Sequence, residues 1–257
     1  MKFNFTNLLL SILPIFTNAL KHINFNEHNF VSLIGPVTTN SVDSLLWEWN
    51  DPKIIEDINN NKQTLLYINS PGGSVHAGNH LIQYIKSLQS QNITVNCVAQ
   101  NFISMAFAIF QSCDYRFVLE NSIGMQHQMS FGIKGNIENI RNLFALNNQI
   151  NEKLIELELK KIQMDKKEYL EKTINDWWIY GDDNIAYNTA DELSLISCST
   201  NLNNLFNTRK EYLYNMEFQV QIPKCPLFKD IQVSNKNAKI FFDTDSYYSN
   251  IKQWNFN

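Results

Sequence analysis

The sequence predicts an α/β fold with one main domain. Between residues 30 and 200, short apolar runs rich in β-branched residues alternate with stretches of helical periodicity. This alternation is typical of a sheet whose strands are connected by crossover helices. A chain of 257 residues with 44% hydrophobic residues can bury one substantial core with extensions, and a second full domain is not expected.

Five short strands are predicted, at residues 30–34, 64–68, 93–98, 115–119 and 123–127. Each is largely apolar, as expected for strands that are covered on both faces. The first strand ends at Gly35 and Pro36, and the second ends at the turn 69–73, which reads Asn-Ser-Pro-Gly-Gly.

Three helices are predicted, at residues 74–89, 104–112 and 136–162. The third helix keeps near-helical spacing of its apolar side chains, which are Ile137, Ile140, Leu143, Phe144, Ile150, Leu154 and Leu157. Its length predicts a helix that projects beyond a compact core or packs on another subunit.

The two ends of the chain differ from this middle part. Residues 1–27 are interpreted as an N-terminal segment whose apolar run 8–16 is interrupted by Pro14 and is too short to span a bilayer. An amphipathic or buried helix is favoured there over a cleaved targeting peptide. Residues 28–199 form the predicted main domain. Residues 200–257 form a C-terminal extension, interpreted as either a small β-rich element or a partner-binding segment.

Charge and metal-ligand spacing exclude several kinds of function. The 21 basic and 25 acidic residues give a net charge of -4, which argues against nucleic acid as the main partner because phosphate binding needs a concentrated basic face. The four cysteines show no metal-binding spacing and are predicted to be reduced thiols. His76 and His80 share a predicted helix but lack a further ligand, so a surface or interface role is favoured over a metal site.

Three positions carry residue types suited to acyl transfer. The turn that ends at Gly73 joins a strand to a helix, and adjacent glycines let such a turn present bare N–H groups. Ser104 opens an apolar helix, where backbone donors favour a nearby anion. His127 closes an apolar strand and has the chemistry of a general base, for which Asp176 is the candidate carboxylate partner.

Each of these signals also has a simpler interpretation. A serine at the start of a helix is usually a cap, and a pair of glycines is usually only a turn. Taken alone, His127 is more often a hydrogen-bonded core histidine, and Asp176 is more often a helix cap.

Several motifs together resemble one known family. The segment 66–75 reads Leu-Tyr-Ile-Asn-Ser-Pro-Gly-Gly-Ser-Val, Ser104 is followed by Met105 and Ala106, and the segment 125–128 reads Met-Gln-His-Gln. Together with Gly35-Pro36-Val37 and the region from Asp176 to Asp191, these motifs resemble the proteolytic subunit of the Clp protease. The resemblance covers roughly residues 28–197.

The resemblance implies a fold, a reaction and an assembly. The fold would be the superhelix of repeated β-β-α units that is shared with crotonases, with a projecting handle helix. The activity would be that of a serine endopeptidase with the triad Ser104, His127 and Asp176 and an oxyanion hole formed by the amides of Gly73 and Met105. The residues expected to bind an extended peptide are Ser74, Val75, Ser130, Phe131 and Gly132.

No cofactor or metal is implied, and the expected substrate is an unfolded polypeptide or a peptide. The resemblance also implies heptameric rings, homomeric or heteromeric, stacked as a tetradecamer and served by an AAA+ unfoldase.

The family's basic axial segment is not recognisable here, and Met129 stands where the family usually has proline. The compartment, cytoplasmic or organellar, stays open. Three alternatives remain. The first is a catalytically silent scaffold subunit, or a prohead-type or signal-peptide-peptidase-like member of the same fold; the second is a crotonase-like acyl-CoA enzyme; and the third is a non-catalytic binding module.

Overall fold

The computed structural model describes residues 20–213, 216–227, 232–235 and 238–241. These residues form a seven-stranded sheet with flanking helices and a four-stranded sheet. The α/β fold predicted from the sequence is therefore confirmed. The predicted N-terminal helix or targeting segment lies outside the described residues, apart from its last few positions.

The strands are β1 (Lys21–Phe25), β2 (Phe30–Ile34), β3 (Gln63–Ser70), β4 (Thr94–Ile103), β5 (Tyr115–Gln126), β6 (Trp177–Tyr180), β7 (Glu192–Cys198), β8 (Phe206–Leu213), β9 (Met216–Pro223), β10 (Gln232–Asn235) and β11 (Ala238–Phe241). The helices are α1 (Thr39–Trp49), α2 (Pro52–Asn61), α3 (Val75–Ser90), α4 (Met105–Gln111), α5 (Ile137–Ile162), α6 (Lys166–Thr173) and α7 (Asp183–Ala186).

The larger sheet is parallel along the strand order β1-β7-β5-β4-β3-β2, and β6 adds to β5 in antiparallel orientation. Neighbouring parallel strands end at the same edge of the sheet, which is where ligands bind in open α/β sheets. At this edge β3 leads into α3, β4 leads into α4, and β5 ends one residue before His127.

The predicted helices agree with α3, α4 and α5 to within one residue at each end. The two strands predicted at 115–119 and 123–127 are wrong as separate elements, because they form one strand, β5. The chain stays extended there through a shift in register, since Ala99 pairs with Val118 whereas Asn101 pairs with Ile123. The elements β1, β6, α1, α2, α6 and α7 were not predicted.

Both faces of the larger sheet are buried, by different parts of the chain. Leu66 and Ile68 of β3 belong to the main core together with the helices, whereas Tyr67 belongs to a second cluster with Phe25 and Leu202. Successive residues of a strand point to opposite faces. The helices therefore cover one face, and the segment after β7 helps to cover the other.

The cysteine prediction is corrected by the structure. Cys97 in β4 is bonded to Cys113 after α4, and Cys198 at the end of β7 is bonded to Cys225 after β9, with Cα–Cα distances of 5.9 and 6.0 Å. Each bond links two elements that are distant in sequence, so the spacing of the cysteines carried no sign of it. The second disulfide also ties the C-terminal extension to the larger sheet.

The C-terminal extension forms the antiparallel sheet β11-β10-β9-β8, in agreement with the β-rich interpretation of residues 200–257. Among the residues that the structure describes, no helix is long and apolar enough to cross a membrane.

Candidate active site

Ser104 lies in a sharp turn between β4 and α4. Its backbone has φ 56 and ψ -123, a combination that L-residues rarely adopt and that costs on the order of 1–3 kcal/mol. The turn is held by the Ser104 amide, which donates to the Met125 carbonyl at 2.8 Å. The hydroxyl forms no capping hydrogen bond with the helix. The interpretation of Ser104 as a simple cap is therefore wrong, and its side chain is free to face the cleft.

His127 is the hydrogen-bond partner of that hydroxyl. Its Nε2 lies 2.8 Å from Ser104 Oγ, within the range for proton transfer between a base and a nucleophile. The sheet produces this contact because Ile103 of β4 pairs in register with Met125 of β5. The histidine amide donates to Gln126 Oε1 at 3.0 Å, which fixes the backbone just after the strand.

Asp176 is not hydrogen-bonded to His127. The antiparallel ladder between β5 and β6 ends at Gln126 and Trp177, so Asp176 is one residue beyond the ladder, opposite His127. Its backbone has φ 50 and its side chain is exposed rather than buried. No hydrogen bond or ion pair of Asp176 occurs within the described residues. The structure thus brings together Ser104 and His127 and leaves the Asp176 carboxylate apart.

Two backbone amides beside Ser104 are free to bind an oxyanion. In the turn after β3, Val37 N–H donates to the Gly72 carbonyl at 2.8 Å and Ser74 N–H donates to the Val37 carbonyl at 2.8 Å, which leaves the amide of Gly73 between them. No hydrogen bond within the part of the chain that the structure describes uses the amide of Gly73 or that of Met105, the first residue of α4. Both residues line the same cavity as Ser104.

This cavity has a volume of about 320 Å³ and connects the serine with the loop after β5. Of the residues expected to bind substrate, Val75, Ser130 and Phe131 line it, whereas Ser74 and Gly132 do not. The Ser74 hydroxyl instead caps α3 by accepting from the Ala77 amide at 3.2 Å. Loop 127–136 has no regular structure.

A buried carboxyl group in the cavity wall was missed by the sequence analysis. Glu158 of α5 is only 1% exposed, yet it lines the cavity together with Ser104. Burial raises the pKa of Glu158 to about 7, although hydrogen bonds from Tyr169 and Gln126 oppose the shift. The sequence did contain a sign of this residue. Glu158 follows Leu154 by four positions, so a charged side chain interrupts the apolar face of the helix.

The two histidines weighed as metal ligands, His76 and His80, are exposed on α3. Within the described ranges, no group of three or more His, Cys, Asp or Glu residues is arranged to hold a metal ion. Trp177 packs in the core, with its ring centroid 6.3 Å from those of Phe107 and Tyr169.

Comparison with protein families places this chain in a known family. The family model described as Clp protease matches residues 25–195. This range is more than half of the chain, and it contains Ser104, His127, Asp176 and all the residues named here that line the cavity.

Proposed function

The chain belongs to the Clp protease family, and we propose that it is a serine endopeptidase whose nucleophile is Ser104 and whose general base is His127. The observation that carries this proposal is the 2.8 Å distance between Ser104 Oγ and His127 Nε2, combined with the strained backbone of the serine. A serine that only capped its helix would need neither feature. Strained residues of this kind are concentrated in active sites.

The proposed mechanism has two halves. His127 Nε2 accepts the Ser104 proton as Oγ attacks a peptide carbonyl, and the amides of Gly73 and Met105 donate to the resulting oxyanion. His127 then gives its proton to the departing amine, which leaves an acyl-enzyme. Water attacks the acyl group with His127 again as base, and Ser104 is regenerated.

Asp176 is the proposed third residue of the triad. The mechanism requires the proton of neutral His127 to sit on Nδ1, and a carboxylate that accepts from Nδ1 selects this tautomer and stabilises the imidazolium. Asp176 is supported by its place opposite His127, one residue beyond the β5–β6 ladder. Its carboxylate must turn towards the ring to act, and an exposed side chain has the freedom to do so.

Labelling by a fluorophosphonate tests the nucleophile. We expect wild-type protein to be labelled and to hydrolyse a short fluorogenic peptide, and Ser104→Ala to lose labelling and at least about a thousandfold in kcat/KM. The matched control is Ser87→Ala, which changes an exposed serine of α3. Equal turnover by Ser104→Ala and wild type would remove Ser104 from the mechanism.

A catalytically silent assembly subunit is the second candidate, and one observation favours it. The Asp176 carboxylate is exposed and has no hydrogen bond to His127 within the described residues. A silent subunit would fail to react with the fluorophosphonate even when folded. The same labelling experiment therefore decides between the two candidates.

We also propose that the chain assembles into rings, as proteins of its family generally do, with unfolded polypeptide as substrate and an AAA+ unfoldase as partner. The proposal is supported by a row of apolar side chains that α5 exposes in its first half, which are Ile137, Ile140, Leu143, Phe144 and Leu146. Exposed patches of this kind mark interaction sites.

We assign the catalytic domain to residues 28–199 and the extension to residues 200–257.

Native mass measurement tests the assembly. We expect a heptamer or a stacked pair of heptamers, and we expect Phe144→Asp on α5 to shift the population towards smaller species. Asn142→Asp introduces the same charge at a neighbouring exposed polar position and should leave the mass unchanged. A monomeric wild-type protein would contradict the proposal.

A further inference from the structure

Glu158 places a carboxyl group in the wall of the cavity that holds the candidate nucleophile. Its Oε1 accepts from Gln126 Nε2 at 2.6 Å, and its Oε2 accepts from the hydroxyl group of Tyr169. Gln126 precedes His127 and contacts its amide. The carboxyl group therefore belongs to the same side of the cleft as the catalytic pair.

This carboxyl group has no counter-charge of its own. Within the described residues Glu158 forms no ion pair, and its two hydrogen-bond donors are an amide and a phenol. An ionised carboxylate offers about four acceptor positions, so about two remain after Gln126 and Tyr169 are counted. A buried carboxylate without a cation is costly, and a ligand that brings a cation would relieve that cost.

The rest of the cavity wall suits the stem of such a ligand. Apolar side chains come from α4, α5 and α6, and they are Met105, Ala108, Leu154, Ile155 and Leu170. A lysine side chain combines an apolar four-carbon stem with a compact ammonium group. Arginine suits the site less well, because Gln126 and Tyr169 already occupy one acceptor position on each oxygen and hinder a bidentate pair.

We propose that Glu158 is a specificity-determining residue that favours lysine on the acyl side of the scissile bond. The stem would contact the apolar wall, and the ammonium group would donate to the free acceptor positions of the Glu158 carboxylate. This inference rests on the proposed peptidase function, and it adds a substrate class to that function.

Two peptides that differ only at the tested position measure the preference. One fluorogenic peptide carries lysine before the scissile bond and the other carries norleucine, which has the same stem without the ammonium group. We expect full-length wild-type protein to have the higher kcat/KM for the lysine peptide. Glu158→Gln should lower the lysine-to-norleucine ratio about tenfold, as expected for the loss of a charge-assisted hydrogen bond.

The matched control is Glu156→Gln on the same helix. Glu156 is exposed and paired with Lys153 at 2.7 Å, so the same chemical change outside the cavity should leave the ratio unchanged. Fluorophosphonate labelling of Ser104 reports whether each variant keeps its catalytic pair in place, which matters because Glu158 also contacts Gln126.

The pH dependence of the wild-type ratio is an independent measurement that needs no variant. The titratable groups that line the cavity together with Glu158 are Tyr169 of α6 and His127 after β5, whereas the cavity-lining residues of α4 are uncharged. Both peptides are cleaved by the same catalytic pair, so any change in that pair cancels in the ratio. Because the pKa of Glu158 is raised to about 7, the ratio should increase as the pH rises from about 6 to about 8.

The outcomes separate this inference from the proposed function. Hydrolysis of both peptides with a ratio near one, or a ratio that Glu158→Gln and pH do not change, would overturn the specificity role and leave the peptidase intact. Wild-type protein that neither hydrolyses the peptides nor reacts with the fluorophosphonate would overturn the peptidase function and the specificity role together.

Discussion

Replacing Gly72 by alanine tests the geometry of the nucleophile turn most directly. Gly72 has φ +83, and a Cβ atom there would lie 2.8 Å from Ser104 Cβ and 2.9 Å from Met105 N, and closer still to the Ile103 carbonyl oxygen. Ordinary contacts between such atoms begin at about 3.5 Å. The turn that carries the nucleophile and one oxyanion donor would therefore have to move by up to about 1 Å.

Gly35 provides a matched control. It has the same φ of +83, but a Cβ atom there would meet nothing within 4 Å. Both alanine variants hold an L-residue in a left-handed backbone conformation, which costs about 1–2 kcal/mol each. Only Gly72→Ala adds steric overlap, which typically costs about 1–3 kcal/mol more. The difference between the two variants isolates the overlap.

The assay is the rate of fluorophosphonate labelling, with urea unfolding as the measure of stability. We expect Gly72→Ala to label at least about a hundredfold more slowly than wild type, since a misplacement of about 1 Å has this effect on catalysis. Gly35→Ala should label at close to the wild-type rate despite its loss of stability. Wild-type labelling by Gly72→Ala would refute the reasoning, because the turn could then absorb the overlap without affecting the site.

Three further predictions follow from individual side chains. Asp176→Asn should lower kcat by at least about a hundredfold, whereas the exposed control Asp182→Asn should not; full activity would exclude Asp176 from the triad. Burial would raise the pKa of Asp191, but hydrogen bonds and charge from Arg116 outweigh it and the pKa is lowered, so stability is lost as the pH falls through that lowered pKa. Asp191→Asn should lower the free energy of unfolding in urea by about 2 kcal/mol at neutral pH, which is less than for a fully buried pair because Asp191 is partly exposed. It should also weaken the loss of stability at acid pH, and an unchanged dependence of stability on acid pH would contradict this prediction. Folding raises the pKa of Glu158 from 4.5 to about 7, so the free energy of unfolding should fall as the pH rises between these values. At about pH 8, Glu158→Gln should therefore be more stable than wild type by about 3 kcal/mol. Equal stability of the two proteins at that pH would argue against a charged buried Glu158.

The local parts of the fold and site were predictable from the sequence. The glycine turn before α3, the helix after Ser104 and the long helix α5 depend on residues close together in the chain, whose propensities and apolar spacing act over a few turns. The pairing of Ser104 with His127 was predicted from motifs, and the structure places the two side chains 2.8 Å apart.

Short-range patterns and motifs in the sequence were enough to predict the α/β fold, the main helices, and the nucleophile and base that we propose. Other features became visible only in the tertiary structure, because they depend on residues that are far apart in the sequence. They are the exposed position of the Asp176 carboxylate, the two disulfides, the pairing of β1 with β7 and the place of Glu158 in the cavity wall. The physical reason is that burial and contact between distant residues depend on how the strands pair and the helices pack. Neither propensity nor spacing within a short segment contains that information.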